Sequence, residues 1–184
     1  MNINVYTEST PNPATMKFIV NKLLINGSVD FATKESAEKS PFAKELYKFS
    51  FVNGVFFASN FVTVTKFEGD NWDDLLPILK EFVKGAVEAE LVVQMEEHAV
   101  DQENFEGSDI EIKIQQILND YVRPAVEQDG GAITYKSFGE GVVTVELRGS
   151  CSGCPSSTVT LKAGIENLLK RMVPEVTEVV SEPL

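Results

Sequence analysis

The residues best suited to chemistry in this sequence are Cys151 and Cys154, its only two cysteines. They stand in Arg148-Gly149-Ser150-Cys151-Ser152-Gly153-Cys154-Pro155-Ser156-Ser157. Two thiols separated by two residues can grip one metal atom from a single tight turn, and Gly153 relaxes the backbone of that turn. The stretch lies between a strand pattern and a helical pattern, so it leads into a helix N-terminus, where free N–H groups and the helix dipole favour negative charge. This placement is expected to lower the thiol pKa toward the thiolate, the form that binds metal or attacks a disulfide.

Four readings of the pair compete. An idle pair is the weakest, because exposed vicinal thiols are an oxidation liability. A thioredoxin-like redox pair also sits between strand and helix, yet only about 30 residues follow Cys154, too few for the rest of that fold. A structural zinc site needs four closed ligands; the one histidine, His98, lies in an acidic run far upstream and reads as a bystander. An iron–sulfur cluster also takes four thiolates, and a two-fold axis that brings two copies of one loop together would supply them. Zinc could be held the same way. Ligand count therefore favours a site shared between protomers, labile when they separate, and leaves the cargo open.

Stepping from the thiols to the chain that must position them, 184 residues suffice for two small domains, and 43% hydrophobic residues fit globular protein. A net charge of -12 disfavours nucleic acid, whose phosphates need clustered Lys and Arg. No apolar run approaches the roughly 20 residues that span a bilayer, so no membrane partner is expected. The start Met1-Asn2-Ile3-Asn4-Val5 lacks a basic and then apolar export signal, and a reducing cytoplasm is the expected location. Residues 94–109 carry six acids and no Lys or Arg, whereas 1–93 hold 12 acids against 9 bases and 110–184 hold 10 against 7. Self-repulsion extends such a run, so 94–109 reads as an acidic linker between domains 1–93 and 110–184.

Each flank has its own core pattern. In the first, Met16 to Val20 reads as a strand; Ser40-Pro41 opens a helix with Phe42, Leu46 and Phe49 at helical spacing. Val55 to Ala58, the pair Ser59-Asn60 and Phe61 to Thr65 read as a hairpin. A helix from about Asp73 to Val87 follows, with Leu75, Leu79, Phe82 and Val83 on one face and Pro77 obscuring its start. Ten of the twelve phenylalanines precede residue 93 and suit a small core better than a site. Thr10-Pro11-Asn12-Pro13 reads as a rigid turn. In the second flank, Ser108 and Glu111 form a candidate capping box before an apolar stripe of Ile114, Ile117, Leu118, Tyr121, Val122 and Ala125. Pro124 should kink that helix and Gly130-Gly131 should end it. Strands over 132–138 and 142–147, a helix capped by Ser156 or Ser157 with stripe Leu161, Ile165, Leu168, Leu169 and Met172, and a strand over 176–180 complete the order α-β-β-α-β. The expected fold class is α+β throughout, two small α+β domains joined by the linker.

Residues 110–182 resemble the C-terminal domain of NifU, the Nfu-type iron–sulfur scaffold and carrier proteins. The resemblance rests on Arg123-Pro124, Asp129-Gly130-Gly131, Gly149-Ser150-Cys151-Ser152-Gly153-Cys154-Pro155, Ser157-Thr158 and Leu161-Lys162-Ala163-Gly164-Ile165-Glu166. It departs at Ala132, where the family often has an acid. Residues 1 to about 90 are similar to the N-terminal domain of many Nfu proteins through Thr10-Pro11-Asn12-Pro13, Lys17-Phe18, Ser40-Pro41-Phe42-Ala43, Gly54-Val55-Phe56-Phe57, Phe61-Val62-Thr63-Val64-Thr65-Lys66 and Trp72. The resemblance implies a 4Fe-4S cluster bridging a homodimer through Cys151 and Cys154 of each chain, then passed to apo iron–sulfur client proteins. It implies a carrier working with assembly machinery and no enzyme; the N-terminal domain, without cysteines, would serve partner interaction. The enzyme alternative is a thiol–disulfide oxidoreductase, and a third reading is a structural zinc-bridged dimer, both on the same cysteines.

Overall fold

The computed structural model describes residues 2–93, 107–151 and 155–182, with 155–158 described by their backbone alone. His98, Gly153, Cys154 and most of the expected acidic linker lie outside these residues. The chain divides into two compact units, Met1–Val100 and Asp101–Leu184. Both are α+β. No helix among the described residues is long and apolar enough to cross a membrane.

In the N-terminal unit, strands β1 (Val5–Ser9), β2 (Thr15–Val20), β3 (Ser28–Phe31), β4 (Val52–Ala58) and β5 (Phe61–Lys66) form an antiparallel sheet in the order β1-β2-β5-β4-β3. The β4–β5 hairpin turns at Ser59-Asn60 as its residue types require, with Ser59 at φ 47°. Strand alternation places Phe18, Val20, Phe57, Val62 and Val64 on one buried face. On that face pack α1 (Pro41–Leu46) and α2 (Trp72–Glu88), the latter through Leu75, Leu79 and Val83. Ser40, fully buried, caps α1 by accepting a 3.2 Å hydrogen bond from the Ala43 N–H. The Asn71 side chain caps α2, and Asp73 and Asp74 in its first turn oppose the helix dipole. Pro77 lies inside α2 and lacks the N–H that would have bonded the Asp73 carbonyl.

One expectation needs correction here: α1 stops at Leu46, so Phe49 lies beyond it and stacks on Phe51 at 5.3 Å. Phe82 packs half-buried against the core with the rest of its stripe, its ring 6.1 Å from that of Phe42 and 5.3 Å from that of Phe49. The turn at Thr10 to Pro13 is rigid as expected: Ala14 N–H donates to Asn12 Oδ1 at 3.0 Å, and Trp72 Nε1 donates to the Pro13 carbonyl at 3.0 Å.

In the C-terminal unit the capping box forms, with Ser108 N–H donating to Glu111 Oε2 at 2.8 Å and Ser108 Oγ accepting from the Glu111 N–H. Helix α3 (Asp109–Ile117) passes through a π turn (Leu118–Val122) into α4 (Arg123–Gln128). Pro124 explains the π turn: its ring would meet the Asp120 carbonyl in a regular helix, and the wider turn relieves that clash. The extra residue also rotates the stripe, which leaves Tyr121 60% exposed and corrects its assignment to the core. Strands β6 (Gly131–Gly139) and β7 (Val142–Gly149) make a hairpin, α5 (Pro155–Met172) crosses over, and β8 (Glu178–Glu182) pairs parallel to β7. The sheet order is β6-β7-β8. Because α5 begins at Pro155, Ser156 and Ser157 lie in its first turn and not at the expected N-cap position. Ile114, Ile117, Leu118 and Val122 join Val143, Val145, Leu147, Ile165 and Leu169 in one core.

Candidate cluster-binding loop

The hairpin β6–β7 and the α4–β6 junction together build the seat of Cys151. Gly131 and Gly149 face each other in register at the open end of the hairpin. Gly149 takes φ 68°, a left-handed conformation that turns the chain out of β7. Ser150 follows, nearly fully buried, and its N–H donates to the Gly130 carbonyl at 3.3 Å. Its hydroxyl donates to the Asp129 carbonyl. The two residues before Cys151 are thus tied to the three that end α4 and start β6.

Cys151 is only 7% exposed and belongs to the apolar core of this unit. Its sulfur lies where a side chain on Gly131 would be. A Cβ built there would stand 2.6 Å from the Arg148 carbonyl oxygen and 2.8 Å from Cys151 Sγ. Gly131 therefore does more than end a helix: with no side chain it leaves the space the thiol fills. Reading Gly130-Gly131 as a stop signal found half of this role, since Gly130 does end α4 with φ 82°. The other half needs the register of a hairpin partner 18 positions away, which residue types do not carry. Ser150 and Asp129 were missed for the same reason.

The electrostatics differ from expectation. Burial pushes the Cys151 thiol up, the Ser150 hydroxyl 3.8 Å from Sγ works against that, and the Asp129 charge adds to it. A bare thiolate is costly here, and a thiolate on a cation is not. The donor chemistry of a buried sulfur thus fits a metal centre. Among the described residues no group of three or more His, Cys, Asp or Glu side chains comes together to hold a metal. The structure places Cys151; Cys154 lies outside the described residues, so their mutual geometry is not part of the picture.

Residues 5–90 match the family described as scaffold protein Nfu/NifU N terminal, and residues 114–180 match the NifU-like domain. The human mitochondrial NFU1 iron-sulfur cluster scaffold homolog is 38% identical over 175 residues, covering 94% of this chain and 69% of that protein. Mitochondrial NifU-like protein 4 of Arabidopsis thaliana is 40% identical over 185 residues, covering 97% of this chain and 65% of that protein. The chain thus spans about two thirds of the length of these relatives. A solution structure of a NifU-like protein from Saccharomyces cerevisiae superposes at a TM-score of 0.44 with 16% identity, over 52% of this chain and 87% of that one.

The cytoplasmic expectation is overturned by these relatives, which are mitochondrial proteins. A start without an export signal speaks only to secretion and does not choose among other compartments. Identity above 30% across both matched domains settles the lineage: this chain belongs to the Nfu/NifU family, with an Nfu/NifU N-terminal domain followed by a NifU-like domain.

Proposed function

We propose that this protein is an iron–sulfur cluster scaffold and carrier, in which Cys151 and Cys154 hold the cargo. Two chains together present four thiolates, the set that one 4Fe-4S cluster takes. The observation that carries the reading is the seat of Cys151: a thiol buried against Gly131, in a chain whose other cysteine is three positions on. A buried sulfur with a raised pKa is a poor attacking thiol and a sound ligand once a cation neutralises it. The cluster would be released when the protomers part, since separation halves its ligand set, and passed to apo iron–sulfur client proteins. Residues 1–93 would recruit the client, 94–109 would link, and 110–184 would carry the cargo.

Anaerobic reconstitution with iron and sulfide tests this on the full chain. The expected product is a brown dimer with about four irons per two chains, as ligation of one cubane by four thiolates requires. Cys151→Ala and Cys154→Ala should each abolish the colour. A colourless dimer with stoichiometric zinc would overturn the reading, and so would a monomer that turns over disulfides.

A further inference from the structure

The N-terminal unit carries a groove that cluster binding leaves unused. It has a volume of about 660 Å³ and lies between α1 and the second half of α2, with Leu91 also in its lining. Leu75, Leu79 and Val83 of helix α2 are spent on the core, and Phe82 and Ala86, which also pack against that core, line the groove together with Gly85 and Ala89. These four are spaced i, i+3, i+4, i+7, one continuous side of a helix. A surface helix ordinarily turns charged residues outward there.

Gly85 is the informative residue. A glycine inside a 17-residue helix is less favourable than any residue but proline. Packing does not demand it, because an added Cβ would meet nothing within 4 Å. Its effect is to keep the groove deep beside Phe82, whose ring is pinned by Phe42 and Phe49 at 6.1 and 5.3 Å. An aromatic cluster therefore backs the Phe82 side of the groove. Around it, among the described residues, stand Glu38, Glu45, Glu81 and Lys44; Glu38 pairs with Lys44 and Glu45 with Lys48, each at 2.5 Å, and the exposed Glu81 stands outside both pairs. The rim is acidic in a chain of net charge -12, which disfavours a second copy of the chain and favours a basic partner.

We infer that this groove docks a basic amphipathic helix of a partner protein, apolar side chains on Phe82 and Leu91 and lysines or arginines toward Glu81 and toward Glu45, where they compete with Lys48. The inference deepens the client-recruiting role proposed above, and rests on that role only for the partner being a cluster acceptor.

The test is fluorescence anisotropy of the full chain with a labelled peptide of about 15 residues, leucines at i, i+3, i+4 and i+7 and lysines elsewhere, at roughly 0.15 M salt. Its controls are a leucine–glutamate peptide of the same pattern and a scrambled leucine–lysine peptide. The leucine–lysine helix should bind best. Gly85→Leu, which fills the groove with a better helix former, should weaken it by about tenfold or more, the scale of losing a central apolar anchor. Glu45→Lys with Glu81→Lys should weaken it and flatten its salt dependence. Unchanged affinity in Gly85→Leu, equal binding of the scrambled peptide, preference for the glutamate peptide, or no binding to the parent chain would each overturn the proposal. Cluster loading of Gly85→Leu, measured alongside, should equal that of the parent. A chain that fails to load iron yet binds the peptide would sink the cluster reading and leave the groove standing.

Discussion

Replacing Gly131 by alanine tests how the thiol is seated. The new Cβ would lie 2.6 Å from the Arg148 carbonyl oxygen, 2.8 Å from Cys151 Sγ and 3.3 Å from Cys151 Cβ. Ordinary contact starts near 3.4 Å, so the carbonyl must retreat by about 0.8 Å and the sulfur by about 0.6 Å. The carbonyl belongs to the last pairs of the β6–β7 ladder and cannot retreat without stretching it. Overpacking of this kind costs about 1–3 kcal/mol. At about 2 kcal/mol, a unit of this size should melt roughly 8–16 °C lower. Calorimetry of the full chain reads this, with the single tryptophan, Trp72, reporting the N-terminal unit as an internal reference. Displacing the sulfur should also speed its reaction with a thiol reagent. Combining the change with Cys151→Ala should return part of the loss, because the sulfur contact disappears and the carbonyl contact stays. Gly139→Ala, whose Cβ would meet nothing within 4 Å, is the control and should shift melting little. A Gly131→Ala chain with the parent's melting temperature and thiol reactivity would refute the argument.

Other outcomes follow from the same structure. Gly164→Ala, inside α5 with open space at its Cβ, should stabilise the C-terminal unit by about 0.5–1 kcal/mol in urea unfolding. Ser40→Ala removes a buried cap from α1 and should cost about 1–2 kcal/mol, read as an earlier Trp72 transition in urea. Burial opposes ionisation of Glu146, but hydrogen bonds from Arg148, at 2.6 Å, and Lys136 prevail and hold its carboxyl below the usual range. Its contribution is therefore present above the unfolded carboxylate range and fades as pH falls through the folded value. Glu146→Gln should lower stability at neutral pH and flatten the acid limb between about pH 5 and pH 3, measured by calorimetry. A steeper limb in Glu146→Gln would show the sign to be wrong.

Much of this molecule is written locally. The capping box at Ser108 and Glu111, the Ser40-Pro41 helix start and the Ser59-Asn60 hairpin turn each depend on residues within a few positions, and each forms as their types require. β1 and β3 were not legible, being short edge strands whose pairing is decided by their neighbours. Tyr121 was placed in the core because a 3.6-residue period was carried through a π turn that only Pro124 and its clash with the preceding turn produce. The electrostatics of the thiol were misjudged for a related cause. Helix N-termini can be read from sequence, whereas the depth at which Cys151 is buried depends on α4, β6 and β7 closing around it.

By itself, then, the sequence determined the two cysteines and their spacing, the α-β-β-α-β order of the unit that bears them, and the lineage. These are properties of residue type and near neighbours. Only the tertiary structure decided that Gly131 makes room for the Cys151 sulfur, that Ser150 ties the loop to Asp129, and that Gly85 lines a groove beside α1. Each joins residues that the chain separates and only folding brings together.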